Sequence, residues 1–504
     1  ASAGAGAGAS GGAAPAASSG ASSSSAARPA DYRALKFPGA PFAPPKADDV
    51  RVRTTTGVTA FVEEDAFLPM VRVTAYVDAT TVHDPAGKEG LAALTAELLD
   101  RGGAGLRGGD DIRALLASAG VTTAVDVTPQ RTRLTATLPV AAQDQVYALL
   151  GDILTRPRFD RAAFDRAKAN AAIRADRLRD TTATVLQDLF ADAVYGTGHP
   201  FARHATKASI DAITLEDVQR FHAARYTARA MTLAISGQVR RNDVASKLEA
   251  AFTPTPGGDA RRGAQATAGA GAGASANDAP VVPEPKPAPG LTVRTLDRPS
   301  AQAQVIMGYP GIVGVPDDDA ALEIMHYVLA GGGFASRMMD ELRTSRGLTA
   351  ALYGEVRPTR FGRGAYAWRF SGNPDTIAEA IKVAFAEIEK MRVSGVTPAE
   401  FEKARTAYLE GNIPHAYDFA HARVTRFAQQ ALWGFYEYTS EQYLNYYAGD
   451  ARQADAIRKL TLADVNAAAK KYLRPKDAII AVVGPLDRIQ RGASAETRPF
   501  VTAR

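Results

Sequence analysis

Cysteine is absent from this 504-residue chain. That excludes disulfides, thiolate metal sites, cysteine nucleophiles and a lipid-bearing cysteine in the sequence as given. Histidine is scarce, with seven copies. No two stand at i and i+4 with a glutamate between them, the spacing that puts two imidazoles on one helical face. No apolar run approaches the ~18 residues of a membrane span. An excess of one charge is also missing. There are 59 basic and 54 acidic residues, net +5, and no basic run exceeds a pair such as Arg261-Arg262. That balance describes a solvated surface and argues against nucleic acid as a partner.

Two stretches of low complexity divide what is present. The first 27 residues are almost all Ala, Gly and Ser. Such a stretch cannot bury enough apolar surface to offset its ordering entropy. With no methionine at its head, it reads as the lead of an exported, periplasmic protein whose signal peptide was removed; a trimmed chain is the alternative. The second stretch, Thr253 to Gly290, is rich in Gly, Ala and Pro and reads as a flexible linker. The expected organisation is a lead over 1–49, a unit over 50–252, the linker over 253–290 and a second unit over 291–504.

The two units look alike. "TLEDVQRFHAARYTARAMTLAISGQV" from Thr214 parallels "TLADVNAAAKKYLRPKDAIIAVVGPL" from Thr461. Each reads as a helix opened by threonine, a Tyr-bearing turn, an apolar strand and a glycine, Gly237 or Gly484. "AAFDRAKANA" from Ala162 parallels "AEFEKARTAY" from Ala399. At the front, the strands "MVRVTAYVDA" and "AQVIMGYPGI" are followed by the helices "EGLAALTAELLDRGG" and "AALEIMHYVLAGGG". The expected fold is α+β: two homologous halves, each a mostly antiparallel sheet with helices packed on it.

These residues, with "GGGFASRMMDELRTSRGL" from Gly331, resemble the pitrilysin/insulinase-type metallopeptidases, the inverted zincins that include the processing peptidases. The resemblance runs from about Val50 to Pro485. It implies a first helix with H-x-x-E-H, in which two histidines bind zinc, the glutamate activates the metal-bound water, and a glutamate on a later helix completes the site. Aligned on Gly90 and Gly102, the motif falls on Ala93, Leu94, Thr95, Ala96 and Glu97. Both histidines and the base are replaced. The distal glutamate falls near Ile173 or Arg174, and an arginine there repels a cation. Independent zinc hydrolysis is not expected. Leu91, Leu94 and Leu98 keep the helix amphipathic.

The remaining histidines offer no substitute site. His199 and His204 read as structural, and His326 as a core or edge residue. His415 and His421 are weak ligand candidates. In catalytic relatives the second-half motif supplies an arginine and a tyrosine that bind the substrate backbone and steady the oxyanion. Arg343 matches the arginine. The tyrosine position is Ala350, and the nearest phenol is Tyr353. Two readings of Arg343 stay open: a substrate carbonyl, or a salt bridge that fixes the glycine-rich turn. The resemblance implies a zinc-less subunit of a heterodimeric zinc peptidase. The zinc is expected in an H-x-x-E-H partner, and this chain closes a chamber around extended peptide. The alternatives are a dead scaffold subunit of a larger complex and a peptide-binding homodimer.

Overall fold

The computed structural model describes residues 42–43, 45–253, 280, 282–313, 317–356, 359–432 and 449–503. The Ala/Gly/Ser lead over 1–27 and most of the linker, 254–279 and 281, lie outside them. All described residues belong to one unit, Phe42–Arg504.

The first half builds a six-stranded sheet from β1 (Arg51–Arg53), β2 (Thr59–Glu64), β3 (Met70–Val77), β4 (Thr122–Val127), β5 (Thr132–Pro139) and β6 (Met231–Gly237). Its order is β1-β2-β6-β3-β5-β4, antiparallel except where β2 meets β6. The second half builds a five-stranded sheet from β7 (Thr292–Asp297), β8 (Ala303–Val313), β9 (Leu352–Val356), β10 (Arg363–Gly372) and β11 (Ile479–Gly484), in the order β7-β11-β8-β10-β9. Here β7 and β11 run parallel and the other pairs antiparallel. The expected α+β architecture of two mostly antiparallel sheets is what the chain adopts.

Period-two alternation assigns the faces. Val71, Val73, Ala75 and Val77 of β3 join Leu134, Ala136 and Leu138 of β5 in the first core. That core is closed by α1 (Leu91–Arg101), α2 (Gly109–Ser118), α3 (Gln143–Thr155), α4 (Arg161–Leu178), α7 (Leu215–Arg225) and α8 (Arg241–Phe252). Between α4 and α7 come α5 (Thr182–Tyr195) and the short α6 (Lys207–Asp211). The second core holds Tyr366, Trp368 and Phe370 of β10. It is closed by α9 (Asp319–His326), α10 (Ile377–Ser394), α11 (Pro398–Ala407), α13 (Gly449–Lys459), α14 (Leu462–Tyr472) and α15 (Leu486–Gly492).

The threonine starts repeat as expected. Thr214 and Thr461 each accept a hydrogen bond from the backbone N–H three residues on, at Asp217 and Asp464, whose carboxylates return to the threonine backbone N–H. Gly237 has φ +130, and a Cβ there would stand 2.1 Å from the Met70 carbonyl oxygen. Only glycine fits that turn.

The halves exchange a helix. α5 leaves the first half and packs on β8 and β11 of the second sheet. Leu186, Phe190 and Val194 bury there against Ile306, Ile479, Ala481 and Val483. In return α12 (Ala420–Leu432) packs on β2, β6 and β3 of the first sheet. Val424, Phe427, Ala428 and Leu432 bury against Phe61, Tyr76 and Ala234. Polar bonds tie each exchange. Arg423 pairs with Glu63 at 2.7 Å, Gln429 donates to the Tyr76 hydroxyl at 3.1 Å, and Arg369 donates to the Gln187 side chain at 2.9 Å. The described end of the linker joins in. The ring Nε2 of His199 meets the Pro283 carbonyl at 2.9 Å, and Arg363 pairs with Glu284 at 2.9 Å.

Candidate functional site

α1 starts abruptly. Gly90 precedes it with φ 101. The buried Asp84 carboxylate accepts from the backbone N–H groups of Gly90 and Ala92, both at 2.8 Å. A carboxylate suits the positive end of a helix, although burial pushes the Asp84 carboxyl up to about 7 against those two bonds. Leu91, Leu94 and Leu98 are buried, as the amphipathic pattern requires. Thr95 is buried as well, its hydroxyl returned to the Leu91 carbonyl at 2.8 Å.

The five positions of the vacated motif divide by exposure. Ala93 faces solvent. Ala96, at the place of the general base in the aligned motif, has 0% exposure. Glu97, at the second histidine position, is half-buried and carries the only charge of the five. It accepts from Arg101 one turn on, at 2.9 Å. It also pairs with Arg174 of α4. Arg174 is one of the two residues, with Ile173, near which the distal metal ligand falls in the sequence alignment. The two helices that a zinc ion would bridge are joined by a carboxylate–guanidinium pair instead. These residues do not fit a metal. Ala93 has no donor atom, Arg174 is a cation, and the one carboxylate is already neutralised. Among the described residues no group of three or more His, Asp or Glu side chains could hold a metal ion.

The histidines are structural where they are described. His199 stacks on Tyr195 at 4.9 Å between ring centroids. His204 lies against Arg179 and Asp188. His326 is buried with its Nδ1 3.1 Å from the Tyr366 hydroxyl, and burial lowers its pKa to about 4. His415 is exposed beside Asp418 at 2.7 Å. His421 lies on α12 under the first sheet, 3.0 Å from the Ser236 hydroxyl and 3.4 Å from that of Thr74. Burial, then the nearby Arg72, hold it near 4 and therefore neutral. His415 and His421 form no ligand pair.

Arg343 lies in the wide helical turn Asp340–Ser345 and is exposed. It forms no ion pair among the described residues. Its guanidinium carbon instead stands 4.5 Å from the ring centroid of Phe334, itself 68% exposed, a cation–π contact. The salt bridge that fixes this turn belongs to a neighbour: Arg337 pairs with Glu400 at 2.6 Å and donates to the Gly395 carbonyl at 2.9 Å. Tyr353 stands on β9, 70% exposed, opposite Arg369 of β10. No hydrogen bond or ring contact joins Arg343 to Tyr353 among the described residues.

One surface went unnoticed in the sequence. β4 is the last strand of the first sheet and runs beside α1. Thr122, Thr123, Ala124 and Val125 are all exposed. The strand has neither Lys nor Pro, the residues that commonly blunt a sheet edge. On the face away from the core, the neighbouring strands present Thr135, Thr137 and Arg133, with Asp126 paired to Arg133 at 3.7 Å. The alternation in "TTAVDVTPQRTRLTATLP" was the available signal.

Residues 212–408 match a family model described as the peptidase M16 inactive domain. A protein of Streptomyces coelicolor described as an uncharacterized zinc protease is 25% identical over 312 residues, 61% of either chain. The match thus spans about three fifths of that relative's length. A protein of Helicobacter pylori described as a non-peptidase homolog is 24% identical over 438 residues, covering 84% of this chain and 91% of that one. Among solved structures, a peptidase M16 inactive domain from Pseudomonas fluorescens superposes with a TM-score of 0.69 at 21% identity, over 86% of this chain and 97% of that one.

Proposed function

Since this chain belongs to the M16 peptidase family yet presents no ligand set for that family's zinc, we propose that it is the non-catalytic subunit of a two-chain peptidase whose partner carries H-x-x-E-H. The observation behind this reading is the Glu97–Arg174 pair. It joins Glu97, the second histidine position of the aligned motif, to Arg174, one of the two candidates for the distal ligand position, and so neutralises the one carboxylate between α1 and α4.

In the pair, this chain closes the chamber and holds extended peptide. β4 supports the second role. An edge strand with unblocked main-chain groups can add a peptide as a further strand, with affinity from backbone hydrogen bonds. Arg343 is the group offered to the partner's site: it is exposed, and its contact is an aromatic face and not a carboxylate. This reading takes the pair to work in an exported compartment such as the periplasm.

The test is a peptidase assay and zinc determination on this chain, on the H-x-x-E-H protein of the same genome, and on their mixture. Hydrolysis is expected only in the mixture, with zinc in the partner. Arg343→Ala should lower kcat/KM by about tenfold or more, the scale of one lost transition-state donor, without preventing association. Failure of the two chains to associate, or no gain of activity on mixing, overturns the reading in favour of a scaffold.

A further inference from the structure

The two exchanged helices differ in what they carry into the foreign half. The apolar contact of α5 is made by Leu186, Phe190 and Val194 against Ile306, Ile479, Ala481 and Val483, with no histidine among them. The first turn of α12 instead sets His421 against the first sheet. Its Nδ1 lies 3.0 Å from the Ser236 hydroxyl of β6, and its Nε2 3.4 Å from the Thr74 hydroxyl of β3. Ser236 and Thr74 are both buried. Thr74 passes on to the Thr135 hydroxyl of β5 at 3.2 Å. The ring is thus met on both nitrogens by hydroxyls, which accept or donate as required.

The charges around the ring supply no counter-ion among the described residues. Of the three strands beneath α12, β6 has no charged side chain. β3 brings Arg72, whose charge acts on the ring, and Tyr76, whose hydroxyl accepts from Gln429. β2 brings Glu63, bound to Arg423 at 2.7 Å, and Glu64, which accepts from the Arg241 backbone N–H at 2.9 Å. Just before α12, Asp418 is bound to His415 at 2.7 Å. Arg423 and Arg426 of α12 are themselves cations. A proton added to His421 therefore places a half-buried charge near Arg72, with each of these carboxylates already engaged.

We propose that His421 makes the docking of α12 on the first sheet conditional on pH, so that mild acid loosens this joint between the halves and leaves the α5 joint in place. The inference goes beyond the two-chain reading and does not depend on it. Its sign follows from linkage. In the docked helix, burial and then Arg72 lower the ring to about 4, whereas in water it titrates at ~6.5. The undocked helix binds the proton more tightly. Docking is at full strength above ~6.5, weakens as pH falls from there, and levels off below about 4. The hydroxyls of Ser236 and Thr74 can still accept from an imidazolium, so the change is one of charge and not of hydrogen bonding. On α5 the sign is opposite. Burial raises the carboxyls of Asp188 and Asp192, and acid favours their folded state. Once loosened, α12 gives up the Arg423–Glu63 and Gln429–Tyr76 ties.

Hydrogen exchange of the full chain tests this, read by mass spectrometry as protection factors, which divide out the intrinsic pH dependence of exchange. Between pH 7 and pH 5 the amides of 424–432 are expected to lose protection by about tenfold or more, while those of α5 hold within about twofold. His421→Gln can bond to the same hydroxyls and cannot take the charge, so its α12 should stay protected at pH 5. Arg72→Gln removes the repelling neighbour at an exposed position and should lessen the loss. If His421→Gln does not fold, Arg72→Gln decides alone, and a loss as large as in the wild type then refutes the device. Equal loss from α5 and α12, a wild-type α12 that keeps its protection at pH 5, or a folded His421→Gln chain that loosens as the wild type does also overturns it.

Discussion

The first helix of each half is packed alike and charged differently. α1 buries Leu91, Leu94 and Leu98, and α9 buries Leu322, Ile324 and Met325. On α1 the polar link to the next long helix is Glu97–Arg174, with the arginine side chain 53% exposed. In the second half the link is internal. The Glu323 carboxylate accepts from the Tyr408 hydroxyl just past α11, and Tyr327 packs edge-on to the Tyr408 ring at 5.6 Å. Burial pushes the Glu323 carboxyl up, and the Tyr408 hydroxyl and Arg426 pull it back only in part. The two halves thus share their packing and differ in the polar link beside it. One copy keeps a solvent-screened ion pair, and the other keeps a half-buried acid with a phenol donor.

Breaking the shared feature should have the largest effect. Phe190→Ala on α5 and Phe427→Ala on α12 each remove an aromatic ring from an exchanged helix. Each should cost about 3–5 kcal/mol, the range for an emptied buried aromatic site. Urea unfolding of the full chain measures this. Similar costs would show that the exchange is energetically symmetrical. A cost below about 1 kcal/mol for either would show that its helix is not held by the foreign sheet.

The two joints predict a smaller, unequal pair of effects. Tyr408→Phe leaves a half-buried carboxylate without its phenol donor and should cost about 1–3 kcal/mol. Arg174→Ala removes an exposed ion pair and should cost under about 1 kcal/mol. The same unfolding experiment compares them. An Arg174→Ala cost as large as that of Tyr408→Phe would mean that Glu97–Arg174 carries the wall and does more than neutralise it.

Much of the fold was legible beforehand because it follows local rules. Alternation marked Met70–Val77, threonine caps marked the starts at Thr214 and Thr461, and glycines marked Gly90, Gly102 and Gly237. The exchange of α5 and α12 was not legible. A helical apolar stripe says that a face must be buried, but not on which sheet. The vacated site was half legible. Glu97 and Arg174 were both identified as unfit for zinc, yet 77 residues separate them, and their pairing needed the packing of α1 on α4. The exposure of Tyr353 was beyond reach for the same reason, because it depends on where α5 stops. β4 was missed although its alternation was plain, since nothing in a single strand tells that it ends a sheet.

A further contrast separates the halves by pH. Asp319, one turn before Glu323 on α9, is driven up to about 7 by burial, with Glu323 and Asp318 adding to the rise and Arg452 opposing it. Its unfolded value is ~3.9. The folded state therefore binds the proton more tightly. Stability from this group is full below ~4, declines as pH rises, and levels off above about 7. Asp217, on α7 of the first half, has the opposite sign. Partial burial raises its carboxyl, but Lys88 at 2.6 Å, the Thr214 cap and Arg220 at 2.7 Å prevail and hold it well below the usual range. Its stability is present above ~4 and is lost as pH falls further. Asp319→Asn should accordingly raise the thermal midpoint at pH 8 and change little at pH 4. Asp217→Asn should lower the midpoint at pH 8. Parallel shifts of the two variants at pH 8 would mean that the halves manage buried charge alike, and that the contrast between their joints is confined to Glu97 and Glu323.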